Sequence, residues 1–327
     1  MPSACRVFRE SAGVVARMVE IAADDLTPGE VVIRAEWSGI NFKDALGVTG
    51  RAPIYKKFPI NAGIDVAGRV ESSADARFKA GDAVLVNGMG LGETFDGGFA
   101  QVVRVAADSI VPMPKGLDAR HSMILGTAGF TAGLALHRME VNGQEPGKGP
   151  IVVTGATGGV GSAAIALLKR RGYRVVAVSG RPGHEGYLRA LGADEVSTPE
   201  ALALGARPLE STRFGGVIDN VGGPLLSGLI RHVGLWGNVA AIGNAASPSL
   251  DATVFPLILR GVSLLGASSA NCPMDVRASV WRRLGADLAA PTLEKIVSRT
   301  VPLAEVIPAC DTLMSRTALG RVLVDCR

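Results

Sequence analysis

The spacing of hydrophobic and polar positions changes character along the chain. In the first third, short runs of branched apolar residues end at Gly, Asp or Ser, and these runs are 31–35, 65–70, 83–87 and 99–105. Short strands separated by frequent turns are typical of an irregular, mostly antiparallel β domain. The pattern predicts such a domain up to the segment "VPMPKGLD", whose two prolines close the β region.

A different rhythm follows this segment. Residues 119–136 have the apolar spacing of a helix, interrupted by three glycines, and "NGQEPGKGP" at 142–150 predicts a loop. Apolar runs then alternate with helical segments, which predicts an α/β region with a doubly wound parallel sheet. The predicted strands of this region are "IVVTG", "RVVAVSG", "GGVIDNVG", "GNVAAIG" and "GVSLLGAS". We expect the last apolar run, "GRVLVDC", to return to the first domain.

Chain length supports this division. A chain of 327 residues is longer than one hydrophobic core usually serves, so two domains are expected. We predict one domain from residues 1–122 and 271–327, and a second from residues 123–270.

Composition excludes several classes of protein. The net charge is +4, but the basic residues are dispersed and only three Trp and three Tyr are present, which disfavours a nucleic-acid partner. No apolar stretch reaches 18 residues and no signal-peptide pattern is present, so we expect no membrane association and a cytoplasmic location. Four cysteines are scattered without a CxxC pair, which predicts neither a disulfide framework nor a zinc knuckle; they are Cys5, Cys272, Cys310 and Cys326.

The motif with the most specific chemistry is "IVVTGATGGVGSAAIALLKRRG", a strand, a glycine-rich turn and a helix. Its glycines have GxxGxxG spacing. Glycine allows a tight turn and lets backbone N–H groups approach a pyrophosphate at the positive end of the helix. The motif therefore predicts a dinucleotide site whose contacts are Thr157, Gly158, Gly159, Val160 and Gly161.

The end of the next predicted strand indicates which dinucleotide binds. NAD sites usually have an acidic residue there, whereas "VSGRPG" offers Ser179, Gly180 and Arg181 without an acid. A hydroxyl and a guanidinium can bind a 2′-phosphate that a carboxylate would repel. We therefore predict NADPH as the cofactor. The alternative is that Arg181 is a solvated loop cation.

Two later strand ends extend the predicted cofactor site. In open α/β sheets, ligands bind beyond the carboxyl ends of the strands. "DNVGG" and "AAIGN" follow two of the predicted strands, so we expect cofactor contacts from Asn220, Val221, Ile242 and Gly243. Each of these segments could also be an ordinary turn.

Several blocks together resemble the medium-chain dehydrogenase/reductase superfamily. The blocks are "NFKDAL", "FPINAGIDVAGRV", "GTAGFTA", "TGATGGVGS", "VAVSGR" and "LRALGADEV". They are most similar to the zinc-free, quinone-oxidoreductase-like branch and, within it, to the NADPH-dependent acryloyl-CoA reductase family. The resemblance implies a GroES-like catalytic domain, a Rossmann domain and a homodimer. It also implies that Phe42, Ser268 and Arg321 lie at the cofactor, although relatives often have an acid near Ser268.

The same resemblance predicts that no metal is bound. Zinc-dependent members have a Cys where this chain has Asn41, and His and Glu where it has Ile64 and Asp65. An amide and an isobutyl group cannot replace thiolate and imidazole as zinc ligands. Without a Lewis acid, alcohol dehydrogenase chemistry is not expected, and hydride transfer to an activated C=C bond remains.

The resemblance then implies an activity and site residues. We expect NADPH-dependent reduction of acryloyl-CoA to propionyl-CoA, with a quinone or enone reductase and a non-catalytic NADPH-binding protein as alternatives. Asn41 would hold an amide or carbonyl, and Lys43 would assist protonation. Asp44 would orient Lys43 or cap a helix that starts near Ala45. Relatives commonly have Tyr where this chain has Phe42. Either Lys43 or a water donates the proton, or this Tyr is not essential in the family, or the activity of this chain is impaired.

A basic loop follows this block. Arg51, Lys56 and Lys57 lie within seven positions and are predicted to bind the phosphates of coenzyme A. A solvated basic loop is the alternative interpretation.

Overall fold

A computed structural model describes residues 1–315 and 319–327, which form two compact units. Unit 1 contains Met1–Thr127, Ser269–Gly285 and Val297–Arg327. Unit 2 contains Ala128–Ser268 and Ala286–Ile296. The domain limits that the sequence predicts, at residues 122 and 270, stay a prediction.

Unit 1 is built on two sheets of mostly antiparallel strands. A three-stranded sheet has the order β2-β1-β4, and a seven-stranded sheet has the order β15-β16-β3-β5-β6-β8, with β7 paired to β3. The branched apolar runs of the sequence lie in strands of the larger sheet and provide buried positions there. This agrees with the predicted irregular β domain. The strands are β1 (Ser3–Glu10), β2 (Gly13–Glu20), β3 (Val31–Ile40), β4 (Ile60–Asn61), β5 (Asp65–Ser73), β6 (Ala83–Asn87), β7 (Val102–Val105), β8 (Val111–Pro112), β15 (Val297–Pro302) and β16 (Arg321–Asp325).

The C-terminal strand returns to this unit, as predicted. β16 pairs antiparallel with β3, so that Val322 lies opposite Ile40 and Asp325 opposite Trp37. This pairing brings Arg321 next to the end of β3. The predicted strand at 99–105 is shorter than expected, because β7 begins at Val102.

Unit 2 contains one six-stranded parallel sheet in the order β11-β10-β9-β12-β13-β14. Numbered from β9, this is the order 3-2-1-4-5-6 of a Rossmann fold, whose switch point lies between β9 and β12. The predicted doubly wound fold is thus confirmed. The strands are β9 (Ile151–Thr154), β10 (Val175–Val178), β11 (Glu195–Ser197), β12 (Phe214–Asp219), β13 (Val233–Ala241) and β14 (Ser263–Gly266).

Nine α-helices are found in the described ranges, 1–315 and 319–327. They are α1 (Phe42–Val48), α2 (Ala119–Val141), α3 (Gly159–Arg170), α4 (Glu185–Leu191), α5 (Gly223–Ile230), α6 (Phe255–Arg260), α7 (Met274–Asp287), α8 (Ala290–Glu294) and α9 (Val306–Met314). The helix predicted at 119–136 is α2, which is interrupted at Gly126 by a φ of 49° and a ψ of −153°. None of the helices in these ranges is long and apolar enough to cross a membrane.

Candidate functional site

The polar block of unit 1 lies at the start of α1. Asn41 is the N-cap, with the extended backbone expected there (φ −102°, ψ 159°). Its backbone N–H donates to Asp44 Oδ2 at 2.8 Å, so Asp44 closes the first turn from within the helix. The prediction that the helix starts near Ala45 is therefore wrong, because this bond allows the helix to begin at Phe42.

The side chain of Asn41 is fully engaged inside unit 1. Nδ2 donates to Asp65 Oδ2 at 2.7 Å and to Asp44 Oδ2 at 3.2 Å. Oδ1 accepts from Arg321 Nη1 at 2.8 Å. An amide has two donors and one acceptor oxygen, and all of them already have protein partners. Asn41 therefore anchors the helix start, and the expected role of holding a ligand amide or carbonyl has no support in these contacts.

Asp65 and Arg321 complete this buried network. Asp65 accepts from the N–H of Thr127 at 2.9 Å and from its hydroxyl at 2.6 Å. Arg321 is 3% exposed and donates to the carbonyls of Ile40 at 3.2 Å and Ile124 at 3.1 Å. Its Nη2 lies 3.5 Å from Asp65 Oδ2. The guanidinium thus binds protein groups within unit 1, and the predicted contact of Arg321 with a cofactor stays a prediction.

Gly126 is required by this network as well as by its backbone. It has a positive φ of 49°, and a Cβ at this position would clash with the Asp65 carboxylate and the Arg321 guanidinium. The break in α2 therefore provides the space in which these two charged groups meet.

The positions that the resemblance relates to zinc ligands are Asn41, Ile64 and Asp65 in this chain. Ile64 is buried, and its N–H donates to Asp44 Oδ1 at 2.9 Å. Asn41 and Asp65 bind each other and Arg321. In the part of the chain that the structure describes, no group of three or more His, Cys, Asp or Glu side chains is placed to hold a metal ion. A cationic guanidinium occupies the centre of the polar cluster.

Burial changes the ionisation of these groups. The pKa of Asp44 is raised from 3.8 to about 7, first because burial disfavours its charge and second because the Asp65 charge is near. Its hydrogen bonds from Asn41 and Ile64 act in the opposite direction. Burial lowers the pKa of Arg321, while the charges of Asp65 and Asp44 raise it.

Phe42 and Lys43 are presented to solvent from the first turn of α1. Phe42 is 43% exposed. Lys43 Nζ lies 2.9 Å from Glu93 Oε1, and the Lys43 side chain is 39% exposed. The expectation that Asp44 orients Lys43 is wrong, because both Asp44 oxygens face the Asn41 and Ile64 donors. Sequence reasoning missed Glu93, since no motif connects two positions 50 residues apart.

Tyr55 does not replace the tyrosine that is absent at position 42. It is 7% exposed, and its buried hydroxyl has no hydrogen-bond partner among the described residues. Burial raises the pKa of Tyr55 well above its ordinary value, with a further contribution from the Asp44 charge. A buried and less acidic phenol cannot supply a proton to a ligand in solvent contact.

The predicted basic loop follows α1. Arg51, Lys56 and Lys57 are all exposed. The backbone N–H of Lys56 donates to the carbonyl of Glu93 at 2.8 Å, which ties this loop to the segment that carries the Lys43 partner.

In unit 2, the glycine-rich turn lies between β9 and α3. Gly158 is the N-cap of α3, and no side chain caps the first turn. A Cβ on Gly161 would clash with the carbonyl of Gly155, so glycine allows the helix to pack against the turn. The uncapped N–H groups at the positive end of a 12-residue helix fit a pyrophosphate. Thr157 lies in this turn, and Gly159 and Val160 are the first two residues of α3.

Ser179, Gly180 and Arg181 directly follow β10. Ser179 is buried, and its Oγ accepts from the N–H of Arg181 at 3.1 Å. A Cβ on Gly180 would meet no atom within 4 Å, so this segment borders open space. No acidic residue lies between Val178 and His184. This arrangement suits a phosphate better than a pair of ribose hydroxyls.

The loop after β12 is tied to the end of β9 by Asp219, the first residue of the predicted segment "DNVGG". Asp219 accepts from Thr154 Oγ1 at 2.6 Å and from the N–H of Gly222 at 2.7 Å. Asn220 Nδ2 donates to the carbonyl of Thr154 at 2.7 Å. Burial raises the pKa of Asp219. Its signal in the sequence is an acid at the carboxyl end of an apolar strand.

The remaining predicted positions of unit 2 lie at the same sheet edge. The N–H groups of Ile242 and Gly243 donate to the carbonyl of Asp219 at 2.9 and 3.2 Å. Val221 is partly exposed, and Ser268 is exposed just after β14. The structure therefore groups these positions at the carboxyl ends of the strands, and their contact with a cofactor stays a prediction.

Comparison with known families identifies two regions. Residues 27–115 match the family model described as "Alcohol dehydrogenase GroES-like domain", and residues 159–286 match the one described as "Zinc-binding dehydrogenase".

Three similar proteins span nearly the whole chain. "Probable acrylyl-CoA reductase AcuI" of Escherichia coli is 45% identical over 91% of this chain and 92% of its own. "Putative quinone oxidoreductase YhfP" of Bacillus subtilis is 44% identical over 93% of this chain and 92% of its own. A crystal structure of Bacillus subtilis yhfP with NAD bound has a TM-score of 0.95 over 99% of both chains. The crystal structure of E. coli K-12 YHDH with bound NADPH has a TM-score of 0.95 over 99% of this chain and 100% of that chain, and the two sequences are 42% identical.

Proposed function

Since this chain belongs to the medium-chain dehydrogenase/reductase superfamily, in the group of acrylyl-CoA reductase AcuI and quinone oxidoreductase-like YhfP, we propose that it reduces acryloyl-CoA with NADPH to propionyl-CoA. The observation that carries this proposal is the 45% identity with AcuI over nearly the full length of both chains. An NADPH-dependent oxidoreductase acting on a C=C bond is the corresponding enzyme class.

The cofactor site of the proposal lies on unit 2. The uncapped first turn of α3 binds the pyrophosphate, and Ser179 with Arg181 binds the 2′-phosphate. Thr157, Asn220, Val221, Ile242, Gly243 and Ser268 line the rest of this site. When bound, NADPH supplies the hydride that the β-carbon of an unsaturated thioester accepts.

The residues of unit 1 control the proton. The thioester carbonyl already makes the β-carbon electrophilic, so the protein has to provide position and hydrogen-bond donors and requires no metal. Lys43 assists protonation at the α-carbon, directly or through water. The buried contacts among Asn41, Asp44, Asp65 and Arg321 support a role for these residues in fixing the first turn of α1, from which Lys43 and Phe42 project.

The exposed cations Arg51, Lys56 and Lys57 bind the phosphates of coenzyme A in this proposal. Their support is that all three are exposed on one loop, directly after the helix that carries Lys43. A CoA ester carries several negative charges, and exposed cations attract them over about 10 Å at moderate salt.

Two other functions remain as alternatives. A quinone or general enone reductase is favoured by the 44% identity with YhfP. A non-catalytic NADPH-binding protein is favoured by Phe42, which has no proton to donate where relatives commonly have Tyr.

We also propose a homodimer located in the cytoplasm. β14 is an edge strand of the unit 2 sheet, and exposed apolar side chains lie close to it in the chain; the most exposed are Leu235, Trp236, Val254, Ile258 and Leu259. A second copy would cover this apolar surface and pair with the edge strand. The four buried free cysteines are compatible with a reducing compartment.

One assay distinguishes these functions. NADPH oxidation is measured with acryloyl-CoA, with 1,4-naphthoquinone and without an acceptor, before and after dialysis against a chelator. The proposal predicts the highest kcat/KM with acryloyl-CoA, unchanged by the chelator. A preference for naphthoquinone would assign the quinone reductase, and no oxidation above the acceptor-free rate would assign the non-catalytic protein.

A further inference from the structure

Glu93 is the acidic partner of Lys43 in unit 1. Its Oε1 lies 2.9 Å from Lys43 Nζ, and its side chain is 19% exposed, which is half the exposed fraction of Lys43. Glu93 belongs to the loop 88–98, which is part of the connection between β6 and β7 and contains five glycines. The partner of Lys43 therefore comes from a different part of the fold than α1.

The loop that carries Glu93 is fixed independently of Lys43. The N–H of Gly88 donates to the carbonyl of Ile64 at 3.1 Å, and the N–H of Gly98 donates to the carbonyl of Gly63 at 2.7 Å. Between them, the buried Asp96 carboxylate accepts two backbone N–H bonds, each at 2.8 Å. The backbone at Glu93 is therefore held without the ion pair, so its carboxylate can restrict the position of the flexible Lys43 side chain.

Glu93 makes a second contact through its backbone. Its carbonyl accepts from the N–H of Lys56 at 2.8 Å, and Lys56 belongs to the loop that we assign to the CoA phosphates. One residue thus contacts both the lysine assigned to protonation and the loop assigned to substrate binding.

The contact with Lys43 is suited to positioning more than to stability. An ion pair between partly exposed groups contributes little to the free energy of unfolding. A lysine side chain has four rotatable bonds, so one short contact removes most of the freedom of Nζ. The ammonium has three N–H donors, of which one is used by Glu93 and two remain for substrate and water.

We propose that Glu93 is a positioning residue that holds the Lys43 ammonium where it can assist protonation of the substrate. This inference rests on the proposed function, because it assigns Glu93 a role through Lys43. Small displacements of a catalytic group reduce the rate strongly, while the stability of the fold hardly changes.

A double-mutant cycle tests the inference. Glu93→Gln keeps the length and an acceptor oxygen but removes the charge, and Glu93→Asp keeps the charge but shortens the side chain. We expect each to lower kcat with saturating acryloyl-CoA about tenfold, with the KM for NADPH and the Tm unchanged. In a Lys43→Ala background, Glu93→Gln should lower kcat no further.

Glu71→Gln is the matched control, because the Arg34–Glu71 pair has the same 2.9 Å separation and also lies in unit 1. It should leave kcat unchanged.

The outcomes separate this inference from the proposed function. A normal kcat for Glu93→Gln together with a low kcat for Lys43→Ala would refute the role of Glu93 alone. Independent, additive losses in the cycle would also refute it, because Glu93 would then not act through Lys43. A normal kcat for Lys43→Ala removes the protonation role and the Glu93 role together, and a wild-type protein that reduces no acceptor removes the proposed function itself.

Discussion

At the scale of single residues, the buried polar groups of unit 1 differ in role from the exposed ones beside them. Asn41 uses its whole amide on Asp44, Asp65 and Arg321, whereas Lys43, two residues later, contacts Glu93 and solvent. A buried polar side chain without partners costs free energy, so buried polar groups form hydrogen bonds within the protein. Residue type alone does not separate the two roles.

The buried Asp44 should make the stability of the protein depend on pH. Its carboxyl binds a proton more strongly when folded, with a pKa of about 7, than when unfolded, with a pKa near 3.8. Its contribution to the free energy of unfolding is therefore complete below pH 3.8 and is lost as the pH rises through 7, by roughly 4 kcal/mol at most.

Urea unfolding of wild type and Asp44→Asn between pH 4.5 and 8 measures this contribution. The variant should lose part of the decrease in stability with rising pH. Asp311→Asn, which changes an exposed carboxyl of α9, should retain the wild-type slope. An Asp44→Asn protein with the full wild-type slope would contradict the assignment.

Arg181 should determine the preference between the two dinucleotides. Arg181→Glu replaces a proposed phosphate partner with a repulsive charge, so NADPH binding should weaken by about 1.5–3 kcal/mol while NADH binding changes little. Cofactor titration by fluorescence measures both dissociation constants. Arg189→Glu, a change on the exposed face of α4, is the control. An equal loss for both cofactors would show that Arg181 does not contact the 2′-phosphate.

At the scale of elements, the first turn of α1 and the loop that follows α1 have separate roles, although they are neighbours in the chain. The turn is held by the buried network, and the three cations of the loop 51–57 are exposed. Both contact the loop 88–98 through Glu93. Elements far apart in the sequence therefore determine the local geometry of this segment.

The basic loop should act on charged substrates only. The triple variant Arg51→Ala, Lys56→Ala, Lys57→Ala should raise the KM for acryloyl-CoA, with a larger effect at low salt, and should hardly change kinetics with a small uncharged enone. Steady-state kinetics at two ionic strengths measure this difference. Lys79→Ala with Lys115→Ala, which removes exposed cations elsewhere, should not raise the KM. An unchanged KM at low ionic strength would mean that the loop does not bind coenzyme A.

At the scale of the whole molecule, the exposed apolar residues are unevenly distributed. Among the described residues, most of the large exposed apolar side chains lie between Leu235 and Leu264, in and around β13, α6 and β14. Large exposed apolar patches are uncommon on a monomer. The distribution supports association through unit 2.

A charge in this surface should separate the proposed dimer. Ile258, on α6, is 68% exposed, so Ile258→Glu should leave the fold intact while placing a carboxylate in the interface. Sedimentation analysis should show a dimer for wild type and a monomer for the variant. Ala190→Glu on α4 carries the same added charge and should remain dimeric. If the Ile258→Glu variant associates as strongly as wild type, this surface is not the dimer interface.

The fold was largely predictable because its signals are local. Five of the six strands of unit 2 contain an apolar run that the sequence predicts, and the glycine turn before α3 stands in the sequence as a motif. The short β11, Glu195–Ser197, has no such run and is not among the predicted strands. Two predictions about α1 were wrong because they depend on particular side-chain contacts. The start of α1 depends on a local bond from the Asn41 N–H to Asp44, and the partner of Lys43 is Glu93, 50 residues away, rather than the adjacent Asp44. No periodicity encodes which side chains meet across strands.

The sequence by itself determined the α/β class, the return of the last strand to the first unit, the dinucleotide turn and the resemblance to a reductase family. These features depend on apolar spacing and on backbone requirements that one segment satisfies alone. Only the tertiary structure decided that Asn41, Asp44, Asp65 and Arg321 form one buried network and that Glu93 contacts Lys43. The physical reason is that a buried polar group must be satisfied by whichever donors and acceptors the folded strands and loops bring within about 3 Å, and these come from segments far apart in the chain.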